Sequence, residues 1–229
     1  MNSNLKRYER GFEKGIDTDG ILRLANHDVD IKNSEIILSV DEFDEEKFNE
    51  LFLVKTGTWE VKDGYIEGTN PKMCPGMIVS KDDYFGDIML EIKCKMISPS
   101  THDINIMING EWYEDTNSRG LAYVAGMEAF WHGNIGFEKS PEYKLTVATQ
   151  LFEFDPQKEH TFCLGNAGGH LFVLSDGKKC LEITDPDPID REKYGKIGFE
   201  AFASKWKFKS LKVYRLKHER IKEYYNPEF

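Results

Sequence analysis

Apolar and polar positions alternate along much of the chain, most clearly between His170 and Leu216. There HLFVLSDGKKCLEI leads into a Pro/Asp loop and then into GKIGFEAFASKWKFKSLKVYRL. Asp176-Gly177 lies between two short alternating runs, a local signal for a tight β-hairpin. In the closing run Ile197, Phe199 and Ala201 share a face, and Trp206 and Phe208 resume the alternation after a break. Leu211 and Val213 continue it one register later, with Ser210 at the slip. A bulge or bend in a curved strand absorbs such an offset. Successive hairpins with period-2 faces predict an antiparallel all-β body.

Runs of the same kind recur upstream at the spacing of a sandwich. They cover 36–40, 58–62 and 65–68 on either side of Asp63-Gly64, then 76–81, 87–96, 103–109, 120–132, 144–149 and 160–165. Helical signal is weak: a short helix over 45–52 after Asp44, a single turn at 189–194, and either a short helix or an ordered arm at 6–14. The expected organisation is an N-terminal arm (1–35), one sandwich domain (36–216) and a C-terminal tail (217–229). Trp59, Trp206, Phe208, Ile104, Ile106 and Ile108 are the expected core.

Two strands carry candidate chemistry. In 103–109 (DINIMIN) the isoleucines point one way, while Asp103, Asn105, Met107 and Asn109 point the other. A carboxylate with two amides can read hydroxyl groups. The face is either ordinary solvated surface or the floor of a ligand site on a concave sheet. In 120–132 (GLAYVAGMEAFWH), Glu128 stands among apolar neighbours with His132 four residues on, on the same side. A carboxylate in apolar surroundings has a raised pKa suited to proton transfer; the alternative is a satisfied Glu–His pair at the sheet surface. The loop between these strands, GEWYEDTNSR, gathers Trp112 and Tyr113 with Glu111, Glu114 and Asp115. Aromatic rings beside carboxylates suit sugar binding, unless the loop folds onto its own core. Its acids match no regular calcium-loop spacing, and Asp185, Asp187 and Asp190 read as turn residues.

Composition narrows the partners. The chain has 229 residues and a formal net charge of −10, which disfavours nucleic acid and anionic membranes. No apolar run approaches the ~20 residues that span a bilayer. The N-terminus lacks the apolar core of a signal peptide, so a cytoplasmic location is expected. The four cysteines form no CxxC pair and read as buried thiols. There is no nucleophile elbow, phosphate-binding glycine loop or HExxH. The ExDxxE strand of retaining β-glucanases is absent too, which speaks against conventional two-carboxylate hydrolysis.

Three blocks carry a family resemblance: GTWEVKDGYIEG at 57–68, FGDIMLEIKCKM at 85–96, and the closing run from Gly195 to Leu216. With them, roughly residues 40 to 216 resemble the 3-keto-disaccharide hydrolase domain family of the concanavalin A-like lectin/glucanase superfamily. The resemblance implies a jelly-roll sandwich of two antiparallel sheets, one concave. It also implies cleavage of oxidised glycosides: a base removes the hydrogen at C2 beside a C3 ketone, the aglycone leaves from C1, and water adds back. Asn105 and Glu128 carry over from the family pattern, whereas Glu200 replaces its Gln. On this reading Glu128 is the base and His132 the acid or a metal ligand. Asn105, Asn109, Trp112, Tyr113 and Glu200 bind substrate. No cofactor is fixed, but a divalent metal held by Asp103, His132 or Glu200 would stabilise the enolate. Asn105, Glu128, His132 and Glu200 should then face one cleft. The expected partners are a carbohydrate or glycoside ligand, a sugar oxidoreductase of the same pathway, or a second copy of the chain. The competing readings are a non-catalytic carbohydrate-binding sandwich and a subunit lending its sheet to a partner enzyme.

Overall fold

The computed structural model describes residues 15–127, 134–149 and 154–221. Its elements in chain order are β1 (Ile21–Arg23), β2 (His27–Asp30), β3 (Glu35–Val40), α1 (Glu45–Leu51), β4 (Phe52–Val54), β5 (Thr58–Lys62), β6 (Tyr65–Ser80), β7 (Ile88–Met96) and β8 (Ile104–Gly110). They continue with β9 (Trp112–Tyr113), β10 (Ser118–Arg119), β11 (Ala122–Met127), β12 (Ile135–Ser140), β13 (Thr146–Thr149), β14 (His160–Ala167), β15 (His170–Ser175), β16 (Lys178–Thr184), β17 (Lys196–Arg215) and β18 (His218–Arg220). The expected helix forms because the Asp44 carboxylate caps it, accepting from the Lys47 N–H at 2.7 Å. The segment 6–14 lies outside the described residues.

The body is a jelly-roll sandwich of antiparallel sheets, one concave. β17, 20 residues long, belongs to both layers. Its first half pairs with β8 on one side and the end of β6 on the other, within a front sheet ordered β13-β12-β11-β8-β17-β6-β4. Its second half pairs with β7, leading out through β14 and β15 to β16 in the rear sheet. The start of β6, and then β3, close the other edge of that half. Two residues in the left-handed region let the strand change direction. Ala203 (φ 50°) sits at the register shift between Phe202 and Ser204. Ser210 (φ 54°) sits at the shift between Lys209 and Lys212, the slip visible in the sequence. The Asp63-Gly64 and Asp176-Gly177 turns have positive φ at both residues, as type I′ hairpins require.

The core fills the space between the sheets. Ile104, Ile106 and Ile108 are fully buried there with Trp206 and Phe208. Phe199 and Phe208, from the two halves of β17, stack at 4.1 Å. Trp59 meets Trp206 edge-on at 5.9 Å. It packs over Gly68, its cross-strand partner, where a Cβ would fall 2.4 Å from the indole. The two runs expected at 65–68 and 76–81 are one bent strand, β6. The Asn70 amide straps its middle by donating to the carbonyls of Cys74 and Ala201.

A second, smaller sheet joins segments expected to be arm and tail. β2 pairs with β1 on one side and β18 on the other. Leu22, Leu24 and Val29 bury against Met89, Cys163, Phe172 and Leu174 on the outer face of the rear sheet. No helix among the described residues is long and apolar enough to cross a membrane.

Truncating Phe208 to Ala should cost roughly 3–5 kcal/mol, because the ring is fully buried and stacked. Urea unfolding measures it, and a loss below ~1 kcal/mol would contradict this packing.

Candidate functional site

On the face of the front sheet turned away from the core, the registers align two rows. One runs Met77, Glu200, Asn105, Gly126, Gly136, Ala148. The other runs Val79, Gly198, Met107, Val124, Glu138, Thr146. Gly126 and Gly136, in line with Asn105, present no side chain on this face, and both are buried. Met77, Val79, Met107, Ala122 and Val124 form a small apolar cluster on this face.

The β9–β10 hairpin folds over the floor. Trp112 packs on the apolar cluster, and its partner Arg119 faces the same way. Lys55 fixes the hairpin from outside, 5.7 Å from the Trp112 ring centre, with its ammonium 2.5 Å from the Glu114 carboxylate. The Arg119 guanidinium is buried between two carboxylates. One Nη donates to Glu200 at 2.6 Å and the other to Glu138, while Nε donates to the Ser140 hydroxyl at 3.1 Å. Asn105 ties in a third acid. Its Nδ2 donates to Asp103 Oδ1 at 2.7 Å and to Glu200 Oε1 at 3.3 Å. Those two carboxylate oxygens therefore lie no further apart than the sum of the two distances, 6.0 Å.

The electrostatics follow from burial. Asp103 is pushed up to about 8, chiefly by burial, with Glu200 and Glu138 adding to the shift and the Asn105 hydrogen bond and Arg119 opposing it. Glu200 and Glu138 are also raised by burial, against the pull of Arg119. Burial opposes the charge on Arg119, yet Glu200 and Glu138 hold its pKa above the ordinary value. Asp103 further adopts φ 77°, in the left-handed region that few non-glycine residues occupy. Ser204 anchors that turn by donating to the Asp103 carbonyl at 2.9 Å. The arrangement can move a proton near neutral pH and offers N–H donors beside the carboxyl that moves it.

The structure brings together Asp103, Asn105 and Glu200 from the expected set, with Trp112 above them. Asn109 goes elsewhere. The β8–β17 register slips beside it, its φ is 45°, and its side chain bonds to Asn166 and the Gly86 carbonyl. Tyr113 points away from Trp112, towards a separate cleft. Glu128 and His132 lie outside the described residues. No group of three or more His, Cys, Asp or Glu among the described residues is arranged to hold a metal. Arg119 and Glu138 were missed by sequence reasoning. Ile135-Gly-Phe137-Glu138 alternates as a strand should, and that pattern could have placed Glu138 on the floor. Arg119 had no such signal, because it sits in β10, a strand of two residues too short to show alternation.

No protein-family model matches the chain, and no curated protein matches it in sequence. Solved structures share its fold. A Bacillus subtilis protein described as galectin-like in fold and unknown in function superposes with a TM-score of 0.63 at 12% identity, over 80% of this chain and 98% of that one. A carbohydrate-binding module from Bacillus subtilis gives 0.57 at 14%, over 71% and 94%. A Bacillus licheniformis β-glucanase gives 0.54 at 12%, over 77% and 97%. The likeness is one of fold.

Two outcomes test the floor. Arg119→Met should destabilise the protein by about 3–5 kcal/mol, because it strands two buried carboxylates. Thermal or urea unfolding at neutral pH reads this. Asp103 tests the pH dependence. Its folded pKa of about 8 exceeds the unfolded value near 4. Its contribution is therefore fully present below pH ~4 and lost as pH rises towards 8, by up to ~1.4 kcal/mol per unit. Asp103→Asn should lack this loss, so the variant gains on the wild type between pH 5 and 8. Parallel stability curves for the two would contradict the buried, protonated carboxyl.

Proposed function

We propose that this protein is a carbohydrate-active enzyme that cleaves oxidised (3-keto) glycosides by proton abstraction at C2, elimination and hydration. The observation that carries it is the buried set on the front sheet: one carboxyl poised near neutrality, an amide and a guanidinium. The family resemblance supplies the substrate class. The carbohydrate-binding module and the β-glucanase that share the fold support a sugar ligand.

On this reading Asp103, as carboxylate, takes the proton from C2. The electron pair moves into the C3 carbonyl, and the enolate oxygen receives N–H bonds from Asn105 or Arg119. Collapse of the enolate expels the aglycone from C1 with a proton from a second acid. Water then adds across the C1–C2 double bond, returning hydrogen to C2. Glu128 and His132 keep the roles of base and acid that the resemblance assigns them, so Asp103 and Glu128 are rival bases. A divalent ion bound here would polarise the ketone. A sugar oxidoreductase that makes the C3 ketone would act upstream.

One observation favours a second reading. Arg119 is already bonded to Glu138, Glu200 and Ser140, a closed set that suits a non-catalytic sugar-binding sandwich.

If Asp103 is the base, kcat/KM on a 3-keto glucoside should climb with pH and level off near 8, since the carboxyl must ionise to act. Asp103→Asn should cut kcat by roughly 10²–10⁴-fold with little change in KM. Turnover in D₂O should place deuterium at C2. Full activity in Asp103→Asn, with loss in Glu128→Gln, would move the base to Glu128. Sugar binding with no cleavage, with or without added divalent metal, would establish the binding module instead.

A further inference from the structure

Three histidines from three strands meet where the small sheet rests on the rear one. His27 comes from β2, His218 from β18 and His170 from β15. The His27 ring lies 5.1 Å from that of His218, edge-on, and 5.9 Å from that of His170. His27 and His170 are buried. The β14–β15 turn brings its backbone up against the rings. A Cβ on Gly168, whose φ is 64°, would fall 3.4 Å from His27 Nε2 and 3.7 Å from the His218 ring. Two of the three rings meet acids: His218 Nε2 lies 2.8 Å from Asp87, and His170 Nε2 lies 3.0 Å from Glu182. His27 has an amide instead. Its Nδ1 lies 2.7 Å from Asn26 Oδ1, an acceptor, so Nδ1 carries the proton of the neutral ring and Nε2 the lone pair.

A second proton on His27 would find both nearby acids engaged. Asp87 is bonded to His218, to the Gly168 N–H at 2.9 Å and to Arg191 at 2.8 Å. Glu182 accepts from Lys179 and the Ala25 N–H besides meeting His170. The charged groups of the seam are His218 and Arg220 on β18, His170 on β15, Glu182 and Lys179 on β16, Asp87 ahead of β7, Arg191 in the loop after β16, and Asp28 next to His27 on β2. Arg23 on β1 is paired with Asp17. Burial, and then the charges of His218, His170 and Arg220, push His27 down to about 4 against the pull of Asp87. Burial opposes the charge on both acids too, yet His170 and Lys179 hold Glu182 at about 2, and His218, the Gly168 N–H and Arg191 hold Asp87 below the usual carboxylate range. The folded pKa of His27, about 4, lies below the unfolded value of 6.5. Its neutral ring therefore favours the closed seam fully above pH 6.5, and that preference is lost as the pH falls towards 4.

We propose that the three-histidine seam is an acid-released clasp: a proton on His27 pushes β1, β2 and β18 off the rear sheet and bares the patch of Met89, Cys163, Phe172 and Leu174 beneath them, while the sandwich stays folded. Such a split is built into the packing, because the apolar residues of the small sheet and the patch form a cluster apart from the main core. The clasp uses no residue of the front sheet and stands apart from the carbohydrate reading.

The cysteines of the full chain read it out. Cys163 lies under the small sheet, Cys94 in the main core and Cys74 in the open. Dithiodipyridine labels thiols in acid as well as at neutral pH, and mass spectrometry follows each cysteine separately. Relative to Cys74, Cys163 should label up to about tenfold faster per pH unit between pH 6.5 and 4, roughly 300-fold in all, with Cys94 still protected. His27→Gln cannot take the charge, so its Cys163 rate should stay within about threefold over the same range. Cys94 rising in step with Cys163 would mean global acid unfolding and overturn the clasp. So would a Cys163 rate that ignores pH in the wild type, or one that climbs equally in His27→Gln. If that variant labels Cys163 fast even at neutral pH, imidazole NMR of the wild type decides: a His27 midpoint near 4 upholds the clasp, and one near 6.5 overturns it.

Discussion

The constraint on which this molecule turns is that one strand must serve two sheets. β17 gives its first half to the front layer and its second half to the rear. It can do so only because Ala203 and Ser210 accept left-handed conformations that release its pairing and let it turn. The bend stacks Phe199 on Phe208 and so ties the two halves through the core. It also sets Glu200 opposite Asn105, which is where the floor of the candidate site begins. Stability and chemistry thus depend on the same piece of backbone.

The floor shows how a protein keeps acids in a dry place. Three carboxyls, two on strands and one in the turn before β8, would repel one another and resist burial. A single guanidinium, reaching down from a hairpin, answers two of them in a planar fork. The third, Asp103, lies beyond its hydrogen bonds and has an amide in place of a cation, so burial keeps its proton on until the pH nears 8. Lys55 and Trp112 hold the hairpin in place without touching the acids themselves.

Much of the fold was legible because its signals are local. Asp63-Gly64 and Asp176-Gly177 specify their turns whatever surrounds them, and the slip at Ser210 announces a change of register within six residues. The isoleucines of β8 mark the core face by alternation alone. The site was half legible for the same reason. Asn105 and Glu200 stand on strands whose faces can be counted and Asp103 comes just before one, whereas the partner of Arg119 depends on which strands become neighbours. Asn109 shows the limit from the other side: counting assigns it to the outer face, and one residue at positive φ turns it inwards. The small sheet was unreadable because its strands are only three or four residues long, and the last of them comes from the far end of the chain.

That small sheet has a consequence for the order of assembly. Lys217 pairs with Asp30 although 187 positions separate them along the chain. Contacts so distant in sequence form late, since the intervening chain must first be ordered. During synthesis Leu22 and Val29, together with the apolar patch on the rear sheet that receives them, must wait for residues 218–220 before the third strand can close over them. The interval is one in which an incomplete chain carries an unpaired strand edge and a sticky surface. It is when this protein is most exposed to aggregation and most in need of a chaperone.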